Sequence, residues 1–377
     1  MHRYNFFRSR KNQIKKVSLP SDSKETYSQT ACLVTQDVSE NEIFLLGQDK
    51  IVMTANSKEV AQNKPLISME ERLKNRNESE NIFIDAVDNF KKSMDILVYS
   101  VNDSKEMFNI PNIQKTFSKT PSGYIITRHS DGMIRLWNIA TNDNKPDCMA
   151  EIKHEKDVHR IFPISDNQFF VVDHILSGKD LTFFELKERK MLAQNVSVPW
   201  SGLIDGIISL DDGKKYGVYT TNNIFYLMDS HNHTVINEKS LNKTDNSVLI
   251  TSFNQNQFVT ANQQRMTLWQ IDEKNSVAEV CNVEITEESI AFIKAVANQY
   301  IITGHFNGKI VIWKPSISEK KFHCVDVIKI SNPSQAIHTF DIAVDGSIAY
   351  LASGGISQVG IISIPAIKAE SNPRQSF

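Results

Sequence analysis

Cysteine is scarce and scattered in this chain of 377 residues. The four thiols form no CxxC pair and show no spacing typical of a zinc site. Isolated thiols of this kind are usually small buried hydrophobic residues in a reducing compartment, which excludes a disulfide framework as the basis of the fold. The four are Cys32, Cys148, Cys281 and Cys324.

An excess of one charge and long apolar runs are lacking as well. The formal net charge of -2 and the pI of about 6.6 give the chain no general attraction for nucleic acid. No stretch approaches the ~20 apolar residues of a membrane span. The first residues lack the apolar core of a secretory signal. We therefore expect a soluble, cytoplasmic protein.

The N-terminus carries one local excess of positive charge, because six basic residues precede the first acid, Asp22. Such an arm could bind an anionic membrane or act as a targeting peptide. A solvated tail that runs into an edge strand is the simpler interpretation. The six residues are Arg3, Arg8, Arg10, Lys11, Lys15 and Lys16.

Catalytic motifs are absent from the sequence: it has no GxSxG, HExxH, GxxxxGK[ST] or GxGxxG. The "HNH" at 231–233 offers two possible ligands, but its setting, "MDSHNHTVI", predicts a turn after a strand. The adjacent acids Asp211 and Asp212 would point to opposite faces of a strand and could not share a proton. We predict no catalytic residue, no cofactor and no metal site. An enzyme whose site is assembled from several repeats stays open.

What the sequence does contain is a repeat. The phrase "HSDGMIRLW" (129–137) returns as "HFNGKIVIW" (305–313), and the tryptophans, with Trp269 between them, are separated by multiples of about 44 residues. Apolar residues alternate after each turn, as they do in a half-buried strand. Asp131-Gly132 and Asn307-Gly308 predict two-residue type I′ turns, so each phrase is a hairpin.

Weaker hairpins between and beyond these two extend the repeat. Six modules of about four strands each begin near residues 113, 157, 202, 247, 290 and 336. Residues 31 to 110 hold strands for one irregular module or two short ones. The last module lacks a fourth strand, which "NQIKKVSLP" (12–20) could supply by closing a ring.

A capping box, Ser68 followed by Glu71, predicts a short helix at about 69–75 inside an insertion at 64–80. That insertion is either a partner-binding element or a tolerated surface insertion.

The modules resemble the WD-repeat β-propeller family. The resemblance is clearest at 123–139 and 299–313. It depends on Trp137, Trp269 and Trp313, on the two turns, on Thr127 and Thr303 where the family often has serine, and on His154 before a first strand. No module contains the family's complete set of His, Ser or Thr, Trp and Asp. Apolar packing between the sheets is therefore expected to hold the blades together more than that network does.

The resemblance implies an all-β, single β-propeller of four-stranded antiparallel sheets, closed by an N-terminal strand. Seven blades are predicted, with eight as the alternative. A basic arm (1–11), the propeller (12–365) and a C-terminal tail (366–377) make up the chain.

In the family, the loop before each first strand and the turn between the second and third strands share one face, the usual binding face. Trp200, beside a proline in a loop, and Phe306, at a turn position usually filled by a small or polar residue, are the candidate aromatic anchors. Carried over by position, the predicted partner-binding residues are Trp200, Phe306, His129, His305, His174, His159, Asn262 and Asp205.

The resemblance implies a monomeric, non-enzymatic scaffold or adaptor that binds a protein or peptide. One alternative is a membrane- or phosphoinositide-associated propeller that uses the basic arm, although the Phe-Arg-Arg-Gly signature of such propellers is absent. A second is a propeller enzyme. The abundance of Asn, Lys, Ile and Ser is typical of an AT-rich genome. If the source is an intracellular bacterium, such a chain could mimic a eukaryotic adaptor in a host cytosol.

Overall fold

The computed structural model shows a chain built almost entirely of strands. Its described part contains 28 strands and one short 3-10 turn, Asp211–Gly213. No helix long and apolar enough to cross a membrane occurs in that part. The described residues are 13–15, 29–35, 38–46, 50–56, 94–100, 106–139, 145–173, 180–196, 202–241, 249–262, 265–285, 289–296, 299–329, 336–342, 347–353 and 357–363.

Consecutive strands pair antiparallel into four-stranded units, numbered here along the chain. Two strands, β1 (Gln13–Lys15) and β2 (Gln29–Thr35), precede unit 1. Units 1 and 2 contain β3 (Val38–Leu46), β4 (Lys50–Asn56), β5 (Met94–Ser100), β6 (Glu106–Lys119), β7 (Ile125–His129), β8 (Met133–Asn138) and β9 (Asp147–Lys153). The long strand β6 belongs to both units, because it pairs with β5 up to Ile113 and with β7 from Ile113 onward.

Units 3 to 5 follow the same order. Unit 3 contains β10 (Val158–Pro163), β11 (Gln168–Asp173), β12 (Asp180–Lys187) and β13 (Lys190–Val196). Unit 4 contains β14 (Ile204–Leu210), β15 (Lys215–Thr220), β16 (Ile224–Asp229) and β17 (Val235–Ser240). Unit 5 contains β18 (Leu249–Asn254), β19 (Gln257–Ala261), β20 (Arg265–Ile271) and β21 (Val277–Glu284).

Units 6 and 7 complete the ring. Unit 6 contains β22 (Ile290–Val296), β23 (Tyr300–His305), β24 (Lys309–Ser316) and β25 (Lys321–Lys329). Unit 7 contains β26 (Ala336–Ile342), β27 (Ser347–Ser353) and β28 (Ser357–Ser363), with β2 as its fourth strand. From β6 to β26 the first strand of each unit contacts the first strand of the next, and β26 contacts β3. Five of the six predicted module starts match the starts of these first strands within about two residues, and the remaining one, 113, is the residue from which β6 pairs with β7.

The N-terminal part of the chain closes the ring, as predicted, but the segment assigned to that task was wrong. The fourth strand of unit 7 is β2, which pairs with β28 from Gln29 to Thr35. Of the predicted segment 12–20, the described residues form β1, which pairs along Cys32–Val34 on the outer side of β2. Seven residues match the length of β28, whereas three cannot cover it.

The number of blades stays a prediction. Pairing arranges the described strands in seven four-stranded units, with β1 as an additional edge strand. The helical insertion predicted at 64–80 lies outside the described residues.

The core lies between neighbouring sheets. Phe170 of unit 3 packs on Tyr216 of unit 4 with ring centroids 4.7 Å apart, and Phe225 of unit 4 stacks on Phe258 of unit 5 at 4.2 Å. Gly217 makes room for this packing, since a Cβ atom there would lie 2.3 Å from the Phe225 ring. Each unit is thus stabilised by apolar packing on its neighbours, as expected from the sequence.

Polar contacts repeat the period of the sequence. The Ser122 hydroxyl donates to the Asp166 carboxylate, 44 residues away, and links the first turns of units 2 and 3. The Gln255 amide donates to the Asp212 carboxylate, 43 residues away, and links those of units 4 and 5. Equivalent positions of adjacent units therefore touch.

A buried ion cluster also links three units. The side chain of Asp341 on β26 is fully buried and pairs with Lys119 of β6 and Lys294 of β22. Burial alone would raise the pKa of Asp341, but the two ammonium groups outweigh it and lower that pKa. The first strands of units 2, 6 and 7 are thereby tied together.

Candidate partner-binding face

Antiparallel order places two kinds of connection at the same end of the ring. The loop that leads into each first strand and the turn between the second and third strands both lie at this end, called here the upper face. The turns between first and second strands and between third and fourth strands lie at the other end, the lower face. The six predicted partner-binding residues that the structure describes lie at the upper end of their strands or in the adjoining turns.

Units 2 and 6 share a hydrogen-bonded triad whose threonine and histidine are buried. In unit 2 the Trp137 indole N–H donates to the Thr127 hydroxyl (2.7 Å), which lies 2.8 Å from His129 Nε2. In unit 6 Trp313, Thr303 and His305 repeat this arrangement, with both distances 2.9 Å. Each triad fastens the third strand of its unit to the end of the second.

The turn beside each triad differs from the predicted type I′ turn. The Gly132 N–H donates to the His129 carbonyl, so Ser130 and Asp131 are the central residues, and neither has a positive φ. Only Gly132 does, at 85°, as Gly308 does at 78° in unit 6. A type I turn followed by a left-handed glycine is the three-residue hairpin loop, and the turn-type prediction was therefore wrong.

Units 3 and 5 carry variants of the triad. The Trp269 indole N–H donates to the Thr260 hydroxyl at 2.8 Å in unit 5. In unit 3 the buried Asp173 carboxylate lies 2.6 Å from His154 Nε2 and accepts a hydrogen bond from the Thr182 hydroxyl at 3.0 Å. Sequence reasoning missed this pair. The signal that could have found it is an acid at the end of a second strand together with a histidine before the first.

Three of the predicted contact residues support the blades from inside. His129, His305 and Asn262 are only 5%, 2% and 7% exposed. The two histidines belong to the triads, and the Asn262 carboxamide oxygen accepts a hydrogen bond from the Arg265 N–H. Their side chains lie beneath the upper face, so we move them from the contact surface to its scaffold. Any binding role for the set stays a prediction.

The other predicted residues divide into two groups. Phe306 is 54% exposed, and His159 and Asp205 are half-buried. Trp200, His174, the basic arm before residue 12 and the helix at 69–75 lie outside the described residues. The structure adds one apolar residue that sequence reasoning did not select, Leu203, which is 39% exposed in the loop before β14.

His159 and Asp205 occupy equivalent β-bulges. On β10 the register passes from Val158 directly to Arg160, and on β14 from Ile204 directly to Gly206, which leaves His159 and Asp205 unpaired. The same irregularity recurs at Ala291 on β22 and at position 338 on β26. Bulges redirect side chains at the ends of strands, and these four lie at the upper end of the inner strands.

The charges at these two bulges influence one another. Arg160 Nη1 donates to the backbone carbonyl of Asp205 at 2.7 Å. Burial raises the pKa of the Asp205 carboxyl, with Arg160 acting in the opposite direction. Burial and then Arg160 lower the pKa of His159, whose buried Nδ1 has no hydrogen-bond partner. At neutral pH the His159 imidazole is therefore neutral.

No group of three or more possible metal ligands occurs in the part of the chain that the structure describes. The "HNH" segment is a turn between β16 and β17, as its composition predicted. His233 packs on Phe183 with centroids 4.6 Å apart and lies 3.3 Å from the Tyr216 hydroxyl. It belongs to an aromatic cluster of the core.

No protein-family model matches the chain, and no curated protein matches its sequence. Many solved structures share its architecture, among them three β-propeller domains. The β-propeller domain of Cps50 (Swd1) from Myceliophteria thermophila is 12% identical, with a TM-score of 0.54 over 72% of this chain and 92% of that one. The C-terminal WD40 domain of Sif2 is 10% identical, with a TM-score of 0.51 over 72% and 78% of the two chains.

The WD40 β-propeller domain of Doa1 covers more of the chain. It is 14% identical, with a TM-score of 0.57 over 91% of this chain and 99% of that one. At such identities the likeness concerns the fold alone. Together with the four-stranded antiparallel units, it confirms that this chain folds as a WD40-type β-propeller.

Proposed function

We propose that the protein is a non-enzymatic interaction scaffold that binds a protein or peptide partner on its upper face. The observation that carries this proposal is the exposure of Phe306. A large aromatic ring, 54% exposed, occupies a turn whose backbone is otherwise the same as in unit 2, where Ser130 takes the equivalent position. Exposed aromatic residues are common anchors of protein interfaces.

The hairpin itself has no need of the Phe306 ring. The Phe306 N–H donates to the Ser289 carbonyl at 3.3 Å, and Gly308 closes the turn on His305, so backbone groups alone define its geometry. The triad beneath it keeps the turn rigid. A rigid backbone that presents an apolar ring loses little conformational entropy on binding, which favours an interface.

The experiment compares the two faces of one unit. Ile317, 58% exposed, lies in the turn between β24 and β25 on the lower face, so Ile317→Ser is matched to Phe306→Ser in unit and exposure. We expect affinity capture with the wild-type protein to retain a partner that Phe306→Ser loses and Ile317→Ser keeps. Circular dichroism should show that all three proteins are folded.

Equal capture by both variants would refute the assignment of the upper face. Loss with Ile317→Ser alone would move the binding site to the lower face. A reconstituted complex with the captured partner should reproduce the order of the three affinities.

The alternatives remain predictions without support from the described residues. The membrane hypothesis is best tested by removing residues 1–11, because β1 pairs with β2 and a longer deletion would disturb unit 7. Liposome binding that survives this deletion would contradict it. A monomeric state and a cytoplasmic location are proposed on the sequence alone.

A further inference from the structure

The bulges at the upper end of β10 and β14 place a half-buried acid, Asp205, near an arginine, Arg160, and a histidine, His159. From this arrangement we infer that the Asp205 carboxylate, at the bulge near the upper end of β14, binds a cationic side chain, arginine or lysine, of a partner peptide. The inference rests on the proposed function and names the chemistry that the upper face recognises.

The Asp205 carboxylate lacks a partner within the described part of the protein. It accepts no hydrogen bond and enters no ion pair, and its only charged neighbour of consequence is Arg160. Half-buried carboxylates normally recover their lost hydration through hydrogen bonds or a counter-ion. Among the described residues no backbone or side-chain group provides such a partner for Asp205, and its partial burial raises the pKa of the carboxyl.

Arg160 does not supply the missing counter-ion. Its Nη1 atom donates to the Asp205 carbonyl, not to the carboxylate, at 2.7 Å. No ion pair within 4.0 Å forms between the two side chains. The guanidinium is thus held by the backbone of β14, and the carboxylate beside it stays available to a second cation.

The surroundings of Asp205 suit a long cationic side chain. Leu203, two residues earlier and 39% exposed, offers an apolar surface to the methylene stem of arginine or lysine. Gly206, the next residue, lies against Ile250 of unit 5 so closely that a Cβ atom would be 2.4 Å from its Cγ2. The backbone that carries Asp205 is therefore fixed between two units, and the site is preorganised.

The remaining groups around Asp205 favour a cation over an anion. An anion near Arg160 would face the unpaired carboxylate, whereas a cation would neutralise it. Neutral His159 adds no positive charge, because burial and Arg160 lower its pKa. Tyr219, buried behind the site, donates its hydroxyl to Asn223 and stays protonated, since burial and then Asp205 raise its pKa.

The test uses three short peptides and the full-length protein with labelled Leu and Ile methyl groups. The peptides are acetyl-Gly-Ser-X-Ser-Gly-amide with X as Arg, Gln or Glu. Titration followed by methyl NMR should show that the Arg peptide shifts the Leu203 signals, that added NaCl weakens this effect, and that the Gln peptide binds at least about tenfold more weakly.

Variants of the acid complete the design. Asp205→Asn should weaken binding of the Arg peptide by about tenfold, and Asp205→Glu should retain most of it. Glu238→Gln removes an exposed acid from the outer strand of the same unit and should have no effect. Unchanged binding by Asp205→Asn would overturn the inference. Equal binding of the Gln peptide, or preference for the Glu peptide, would overturn it too, and the latter would make Arg160 an anion site.

The outcome separates this inference from the proposed function. Without an Asp205-dependent effect of the Arg peptide, but with capture that depends on Phe306, only the cation site fails. With the Arg effect, but with capture indifferent to Phe306, the assignment of Phe306 fails and the cation site stands.

Discussion

Different interactions hold the strands in place in units 2 and 6 and in unit 4. In units 2 and 6 a tryptophan on the third strand is hydrogen-bonded to a threonine on the second, with a histidine beside it. Unit 4 has no tryptophan, and its buried rings Tyr216 and Phe225 pack on aromatic residues of units 3 and 5. A blade can therefore be held either by a polar network inside its sheet or by aromatic packing between sheets.

The difference has a consequence for the upper face. The polar network ends in His129 or His305, directly beneath a turn, and so it fixes the turn from below. Aromatic packing in unit 4 fixes the middle of the sheet and leaves its upper end to the loop before β14. The rigid, exposed ring of Phe306 lies above a triad, and the bulge of Asp205 lies in the unit without one.

Removing a ring from unit 4 should cause the largest loss of stability. Phe225 is fully buried and stacks on Phe258. We expect Phe225→Ala to lower the free energy of unfolding by about 3–5 kcal/mol, because a large cavity remains between two sheets. Urea unfolding followed by tryptophan fluorescence measures this. Phe306→Ala, an exposed phenylalanine, serves as control and should change stability by no more than about 0.5 kcal/mol.

Lowering the pH should destabilise units 2 and 6, which contain the triads, before it destabilises unit 4, which is held by aromatic packing. Burial, then Arg135, lowers the pKa of His129 to about 4, with Asp131, Arg128 and Glu151 as the other charges near it. A neutral His129 can accept the Thr127 hydroxyl proton at Nε2, a bond that protonation would break. The unfolded histidine has a pKa of about 6.5, so this stabilisation is complete above that pH and is lost as the pH falls toward 4.

The expected size of the effect is on the order of 2–3 kcal/mol for this one group. His129→Asn, which places the residue of unit 5 in unit 2, should flatten the dependence of urea stability on pH between about 6.5 and 4. If wild type and variant lose stability in parallel over this range, the imidazole does not titrate as proposed.

The sequence predicted the hairpins well and the roles of their histidines poorly. Alternating apolar residues after Asp131-Gly132 and Asn307-Gly308 indicate strands wherever one face is buried, and the structure confirms both. The direction in which the His129 side chain points depends on whether the hairpin loop after β7 has two residues or three. Both loops accept the same Asp-Gly or Asn-Gly pair, so composition alone could not tell them apart.

Long-range pairing was equally difficult to predict. The segments 12–20 and 29–35 both contain a short apolar pattern, and only the length of β28 selects β2 as its neighbour. The bulges at His159 and Asp205 leave no trace in the sequence pattern, because a bulge changes the pairing and not the residue types. The exposure of Leu203 depends on how its loop packs. The periodicity of apolar residues in the sequence gives no information about that packing.

The central hydroxyl of a triad should matter more than a hydroxyl in unit 4. Thr303→Val keeps the shape but leaves the Trp313 N–H and His305 Nε2 without this partner, and we expect a loss of about 1–3 kcal/mol. Thr220→Val in unit 4 removes only a long bond of 3.4 Å to the Ile224 carbonyl, so its loss should stay below about 1 kcal/mol. Equal losses in the two urea curves would mean that the triad adds no stability of its own.

The smallest expected effect tests whether the tryptophan itself is needed. Trp313→Phe removes the 2.9 Å hydrogen bond to Thr303 but keeps an aromatic ring on β24, and we expect a loss of about 0.5–1.5 kcal/mol in urea unfolding. Unit 3 shows why the cost should be small. There Phe184 stacks on Phe169 at 5.0 Å, and the Asp173 carboxylate, not an indole, engages the threonine hydroxyl. In unit 3 the packing of the aromatic ring therefore does not depend on a hydrogen bond from that ring to the threonine. A loss above about 3 kcal/mol for Trp313→Phe would show that in unit 6 the packing and the hydrogen bond depend on each other.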